Sequence, residues 1–166
     1  MEKKQIAFTY ELYNASSELA EQDLQLLNQA RRVTGEAYAP YSQFHVGAAA
    51  RLTSGEIITG ANQENAAYPV TICAERVLLG IAAMLHPHTP IHTLAVSFSS
   101  DHRDAAHPIS PCGMCRQALL EYEGRMQQPI RIILSGQSGQ VYIIETAQQL
   151  LPLAFTSSEL QSGGEI

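Results

Sequence analysis

No run of basic residues occurs anywhere in the chain, and ten Lys and Arg stand against sixteen Asp and Glu, a formal charge of −6. A phosphate backbone is bound by clustered cationic side chains, so nucleic acid is excluded as a partner. No apolar stretch approaches the roughly 20 residues that cross a bilayer, so a membrane-spanning helix is excluded too. Lys3 and Lys4 open the chain, but Gln5, Thr9 and Glu11 break up the apolar residues after them. That segment does not read as a signal peptide, and the expected location is cytoplasmic. Internal repeats and breaks in composition are absent, so a single domain over 1–166 is expected. Cysteine is scarce, with three in the chain. An odd number in a reducing compartment reads as thiolate ligands rather than a disulfide framework. What is present is an ordinary folding composition, 45% hydrophobic and 16% charged, in a chain long enough for one sizeable core.

All three cysteines lie in two short segments, Thr71-Ile72-Cys73-Ala74-Glu75-Arg76 and Ser110-Pro111-Cys112-Gly113-Met114-Cys115-Arg116-Gln117. Cys112 and Cys115 are three apart at a helix entrance, so both sulfurs can face one point. Cys73 stands at the entrance of another helix. Zinc favours thiolates in a tetrahedral site, and catalytic sites leave one position to water. Three thiolates carry more negative charge than a divalent cation offsets, a cost that two helix N-termini aimed at the cluster would reduce. Arg76 is placed to donate hydrogen bonds to those thiolates. Glu75 is the expected general acid and base, since it needs only to reach the water and not the metal. Two blander readings stand beside this one. A closed structural site would need a fourth ligand, for which His107 is the best candidate. A redox Cys-x-x-Cys pair would leave Cys73 without a role. A Cys-x-Glu facing a Pro-Cys-x-x-Cys is far more specific than either half, and is the pattern of zinc deaminases of nucleobases and nucleosides.

The rest of the chain alternates strands with helices, which predicts an α/β fold of three layers, helix–sheet–helix, around a central mixed sheet. Residues 1–22 read as an N-terminal extension, in which Ile6, Phe8, Tyr10 and Leu12 alternate as in a half-buried strand. Leu24, Leu27, Ala30 and Val33 predict a helix that could run on through Ala37 and Tyr38 to Pro40. Strands are expected over 44–52, 56–60, 91–98, 130–134 and 141–144. Helices are expected over 73–86 and 112–122, with a short one over 146–151. The tail 157–166 is polar and reads as frayed. The loop Asn62-Gln63-Glu64-Asn65 is either a solvated turn or a ligand-binding loop aimed by the strands around it.

At these residues the chain resembles the homotetrameric cytidine deaminases. Residues 39–49 resemble that family's first block, 60–69 its ribose-binding loop, and 150–155 its C-terminal block. The resemblance covers residues 24–155 and leaves the N-terminal extension outside. It implies zinc on Cys73, Cys112 and Cys115, with Glu75 as proton shuttle in hydrolytic deamination of cytidine and 2′-deoxycytidine. Asn62 and Glu64 would hydrogen-bond the ribose, with Gln63 beside them, and Phe44 would stack on the pyrimidine. Ala66, Tyr68 and Phe155 would approach substrate across subunits, making the protein a homotetramer with shared sites. Helix 73–86, apolar on most of its circumference, is consistent with cover from a neighbour. Two alternatives remain: a deaminase of another aminopyrimidine nucleoside such as blasticidin S, and a non-catalytic zinc-stabilised binding protein.

Overall fold

A computed structural model describes residues 1–160 and contains one mixed six-stranded sheet. In chain order the elements are β1 (Glu11–Tyr13), α1 (Glu21–Val33), β2 (Phe44–Leu52), β3 (Ile57–Ala61), α2 (Ala74–Leu85), β4 (Ile91–Ser100), α3 (Gly113–Met126), β5 (Arg131–Ser135) and β6 (Val141–Ile144). The strands lie in the order β1-β6-β5-β4-β2-β3, with β4 and β5 parallel and every other pair antiparallel. The parallel pair follows from α3, since a parallel return needs a crossover and a helix supplies it.

The two-residue period of the strands sorts the core onto two faces. Ala49, Ala95 and Ile133 face α1, where Leu26, Leu27 and Ala30 cover them. Ala48, Ala50, Leu94, Val96, Ile132 and Leu134 face the opposite way, under Leu78, Leu79 and Ala82 of α2 and Leu119 and Tyr122 of α3. The helix–sheet–helix layering expected from the sequence is therefore present. Each fully buried Leu or Ile here contributes about 1.5–3 kcal/mol. Small residues set how closely the layers approach. A Cβ on Gly60 would lie 2.7 Å from both the Ala74 carbonyl oxygen and the Leu78 nitrogen. Helix α2 thus rests directly on the backbone of β3, and that contact fixes the height of its N-terminus, where Cys73 stands.

Three elements depart from expectation. The alternating strand over 6–12 shortens to Glu11–Tyr13, because its partner β6 has only four residues and the pairing ends at Glu11↔Ile143. Ile6, Phe8, Tyr10 and Leu12 are all exposed. Helix α1 stops at Val33 and passes into a 3₁₀ turn, Thr34–Glu36, instead of continuing to Pro40. The helix expected over 146–151 is a single 3₁₀ turn, Ala147–Leu150, capped by the Thr146 side chain. Of the tail, Ser157–Glu159 form another 3₁₀ turn, and 161–166 lie outside the described residues. No described helix is long and apolar enough to cross a membrane.

Candidate metal centre and substrate cleft

Cys73 is the N-cap of α2 and Cys112 the N-cap of α3, and neither helix has a side-chain cap. Both N-termini, with their partial positive charge and free N–H groups, therefore meet at the sulfurs. Cys115, one turn into α3, is fully buried. The sulfurs of Cys73 and Cys112 are 3.8 Å apart, those of Cys112 and Cys115 are 3.5 Å apart, and all three lie within 4.8 Å of one another. Zinc–sulfur bonds of about 2.3 Å in a tetrahedron place the sulfurs about 3.8 Å apart. The three thiols thus fit a zinc ion without rearrangement, and zinc is the cofactor of this site. Among the described residues no His, Asp or Glu joins them as a fourth ligand. His107 stands elsewhere, with its ring edge-on to Phe98 at 5.2 Å. The alternative of a closed site with His107 as fourth ligand therefore finds no support in this cluster.

A hydrogen bond from the Cys115 thiol, with the Arg76 charge as a smaller contribution, holds Cys73 down to about 6. Cys115 is pushed up by the same hydrogen bond and by burial. Arg76 thus acts on Cys73 through its charge. Glu75 lies in the first turn of α2 and is buried, 4% exposed. Burial pushes its carboxyl above the usual range, partly offset by its own backbone N–H and the Cys115 thiol. A carboxyl whose proton is held more tightly than usual is better placed to return it, which suits general acid–base work.

Cys73, Cys112 and Glu75 open into a cleft of about 270 Å³. Its walls include Phe44, Asn62, Glu64, Cys73, Glu75 and Cys112. Phe44 is stacked on buried Phe98, ring centroids 4.9 Å apart and planes 22° apart, so the ring that faces the cleft is backed by a second ring. The Asn62 amide oxygen accepts from the Val46 N–H at 2.7 Å, and its nitrogen donates to the Phe44 carbonyl at 3.0 Å. Asn62 therefore ties the loop to β2 and sets the position of Phe44. One oxygen of Glu64 accepts from the N–H groups of Tyr41 and Ser42. The Ser42 hydroxyl, ahead of those amides, holds the Glu64 carboxyl below the usual carboxylate range.

Four candidates stand apart from the cleft of this one chain. The Gln63 side chain donates to the Glu36 and Ala61 carbonyls, and its backbone pairs with Ile72. Ala66 is exposed on the following loop, and Tyr68 meets Tyr41 edge-on. Phe155 is exposed, with its carbonyl accepting from Gln117. Two residues with defined roles escape sequence reasoning. Arg116 donates to the carbonyls of Pro111 and Leu150. Buried Glu123 accepts from the N–H groups of Ile130, Ala147 and Gln148 and from the Thr146 hydroxyl. A charged residue on an otherwise amphipathic helix reads as solvated, and only the fold reveals its partners.

Comparison with known proteins agrees with this geometry. The pattern of the cytidine and deoxycytidylate deaminase zinc-binding region matches residues 20–127. A protein of Halalkalibacterium halodurans named cytidine deaminase is 36% identical over 135 residues, 81% of this chain and 95% of the relative. The crystal structure of a cytidine deaminase from Burkholderia pseudomallei superposes with a TM-score of 0.67 at 35% identity, covering 79% of this chain and 97% of that one. A Bacillus cereus protein named blasticidin-S deaminase is 30% identical over 141 residues, 83% of this chain and 95% of the relative.

Proposed function

The chain belongs to the cytidine and deoxycytidylate deaminase zinc-binding family, and from that premise we propose that it hydrolyses cytidine and 2′-deoxycytidine to the corresponding uridines and ammonia, as in pyrimidine salvage. The observation that carries the reading is a cluster of three zinc-spaced thiols, two of which, Cys73 and Cys112, open with the buried carboxyl of Glu75 into one cleft backed by an aromatic ring. Zinc held by Cys73, Cys112 and Cys115 would supply a water made nucleophilic near neutral pH. Phe44, fixed from behind by Phe98, holds the pyrimidine ring flat with C4 toward the cysteines. Glu75 takes the proton of the attacking water and places it on N3. It then takes the remaining proton of the oxygen now on C4 and delivers it to the amino group, which leaves as ammonia as the C4 carbonyl forms. Glu64 and Asn62 orient the ribose. Release of one ammonia per cytidine, measured on the purified protein, tests the reading. Turnover of blasticidin S faster than of cytidine would replace the substrate, and absence of any deamination with zinc bound would favour a binding protein.

Glu64→Ala removes a charged acceptor from the cleft wall. Losing one such hydrogen bond costs about 1.5–3 kcal/mol, so kcat/KM for cytidine falls roughly ten- to hundredfold while zinc content stays the same. An unchanged specificity constant would make the loop a turn and nothing more.

The working form in this proposal is a cytoplasmic homotetramer. Its support is a set of exposed apolar side chains: Met84 and Leu85 at the end of α2, Tyr68 and Val70 before it, and Phe155. Helix α2 buries Leu78, Leu79 and Ala82 at home, so the cover it lacks is on its last turn and one side. Exposed patches of this kind mark association surfaces. Light scattering is expected to give about four times the 18.1 kDa chain mass, the closed assembly that D₂ symmetry produces. A fully active monomer would overturn the shared-site reading of Ala66, Tyr68 and Phe155.

A further inference from the structure

Helix α3 carries two of the cysteines at its start and, in its next residues, the holds on a distant part of the chain. The Arg116 Nε donates to the Pro111 carbonyl at 2.8 Å, and its Nη1 donates to the Leu150 carbonyl at 3.0 Å. Pro111 is buried and directly precedes Cys112. The next residue, Gln117, donates from Nε2 to the Phe155 carbonyl at 3.0 Å. Two consecutive residues of one helix thus hold both ends of the loop 150–155, and the first also holds the chain entering the cysteine cluster. Further along the helix, Glu123 holds the approach to the loop through Thr146, Ala147 and Gln148.

Between its two holds the loop is strained. Leu153 adopts a left-handed φ of 54° and is exposed. A leucine keeps that conformation only where its surroundings impose it, and an exposed side chain imposes little. Hydrogen bonds hold the loop at both ends, Leu150 and Phe155, while 151–154 share a cavity wall with Ile6, Ala7 and Phe8. Arginine suits the first position because its planar guanidinium presents several donors in fixed directions. A lysine in its place offers one compact ammonium, which cannot hold both carbonyls with that geometry.

We propose that Arg116 is a positioning residue that couples the turn bearing Cys112 and Cys115 to the C-terminal loop 150–155. Loosening the loop then loosens the metal-holding turn, and metal loss in turn releases the loop. The inference rests on zinc occupying the three cysteines, as read above.

The test measures zinc release to a chromogenic chelator, together with hydrogen exchange of residues 151–155 with and without zinc. In the wild type, removal of zinc is expected to raise exchange in the loop. In Arg116→Lys, exchange is expected to be raised already and to respond little to zinc. Outer partners of metal ligands typically change metal affinity about 10–100-fold, so zinc should leave this variant at least about tenfold faster. Gln117→Leu frees the Phe155 end alone: it should raise loop exchange and KM, with zinc release at the wild-type rate. Wild-type release from Arg116→Lys, or loop exchange indifferent to zinc in the wild type, overturns the coupling. Where Arg116→Lys does not fold, the wild-type comparison decides alone. A wild type that takes up no zinc overturns the site reading as well, an outcome visible in metal content before any exchange is measured.

Discussion

Glu75→Gln is expected to abolish nearly all turnover while leaving fold and zinc content intact. Glutamine keeps the size and one oxygen of the side chain but cannot accept and return a proton. The position is buried and its ionised form is disfavoured by burial, so a neutral amide is tolerated there sterically and electrostatically. A positioned acid or base contributes about 10²–10⁴-fold, and in this mechanism one carboxyl serves every transfer: from the water, to N3 and to the leaving amine. The loss in kcat should therefore reach the top of that range or exceed it. KM should change little, since Glu75 does its work on the path to the transition state and not in holding the ribose. The measurement is steady-state ammonia release, beside zinc content and a thermal melt of the same preparation. A variant that turns over at a rate near wild type, with zinc bound, removes Glu75 from the mechanism.

Much of the site is legible in the sequence because its chemistry is local in the chain. Cys73, Glu75, Cys112 and Cys115 stand at helix starts, and proline before Cys112 together with the apolar spacing of Val77, Leu78 and Ile81 marks where those helices begin. The long strands are legible for the same reason: runs such as Phe44–Leu52 and Ile91–Ser100 have their own pattern. The features that escape depend on partners. The alternation of Ile6, Phe8, Tyr10 and Leu12 is a strand pattern, but β6 offers too few residues to pair with it. Spacing assigns the face of α1 through Leu24, whereas Leu26 is the fully buried residue and Leu24 only borders the core. A shift of two residues turns a helix by more than half a turn, and only the position of the sheet decides which leucine lies beneath. The roles of Arg116 and Glu123 depend on contacts over 34 and 23 residues of sequence, respectively. Asn62 is the mixed case. Its place in the cleft is expected from its loop, but its amide is engaged by the backbone of β2, so part of its contribution to binding is the placement of Phe44.

The contrast between Cys115→Ala and His107→Ala separates an open catalytic site from a closed structural one. Cys115 is fully buried beside its partner sulfurs, with Cys112 at 3.5 Å. Removing it leaves two thiolates, one of them on exposed Cys112, too few to hold a zinc ion against water. Zinc should fall from about one per chain to near none, and deamination should fall with it, because the source of a nucleophilic water near neutral pH is gone. The melting temperature should fall as well, since a metal bound only by the folded state stabilises it in proportion to the logarithm of its saturation. His107→Ala should do none of this. Its imidazole packs at an angle of 64° against Phe98, the ring that backs Phe44, and is outside the cysteine cluster. The expected result is unchanged zinc content, with at most a modest rise in KM as Phe98 loses a neighbour and Phe44 its firm backing. Elemental analysis of the two variants side by side gives the answer directly. Loss of zinc from His107→Ala as complete as from Cys115→Ala would place a fourth protein ligand on the metal and leave no position there for water.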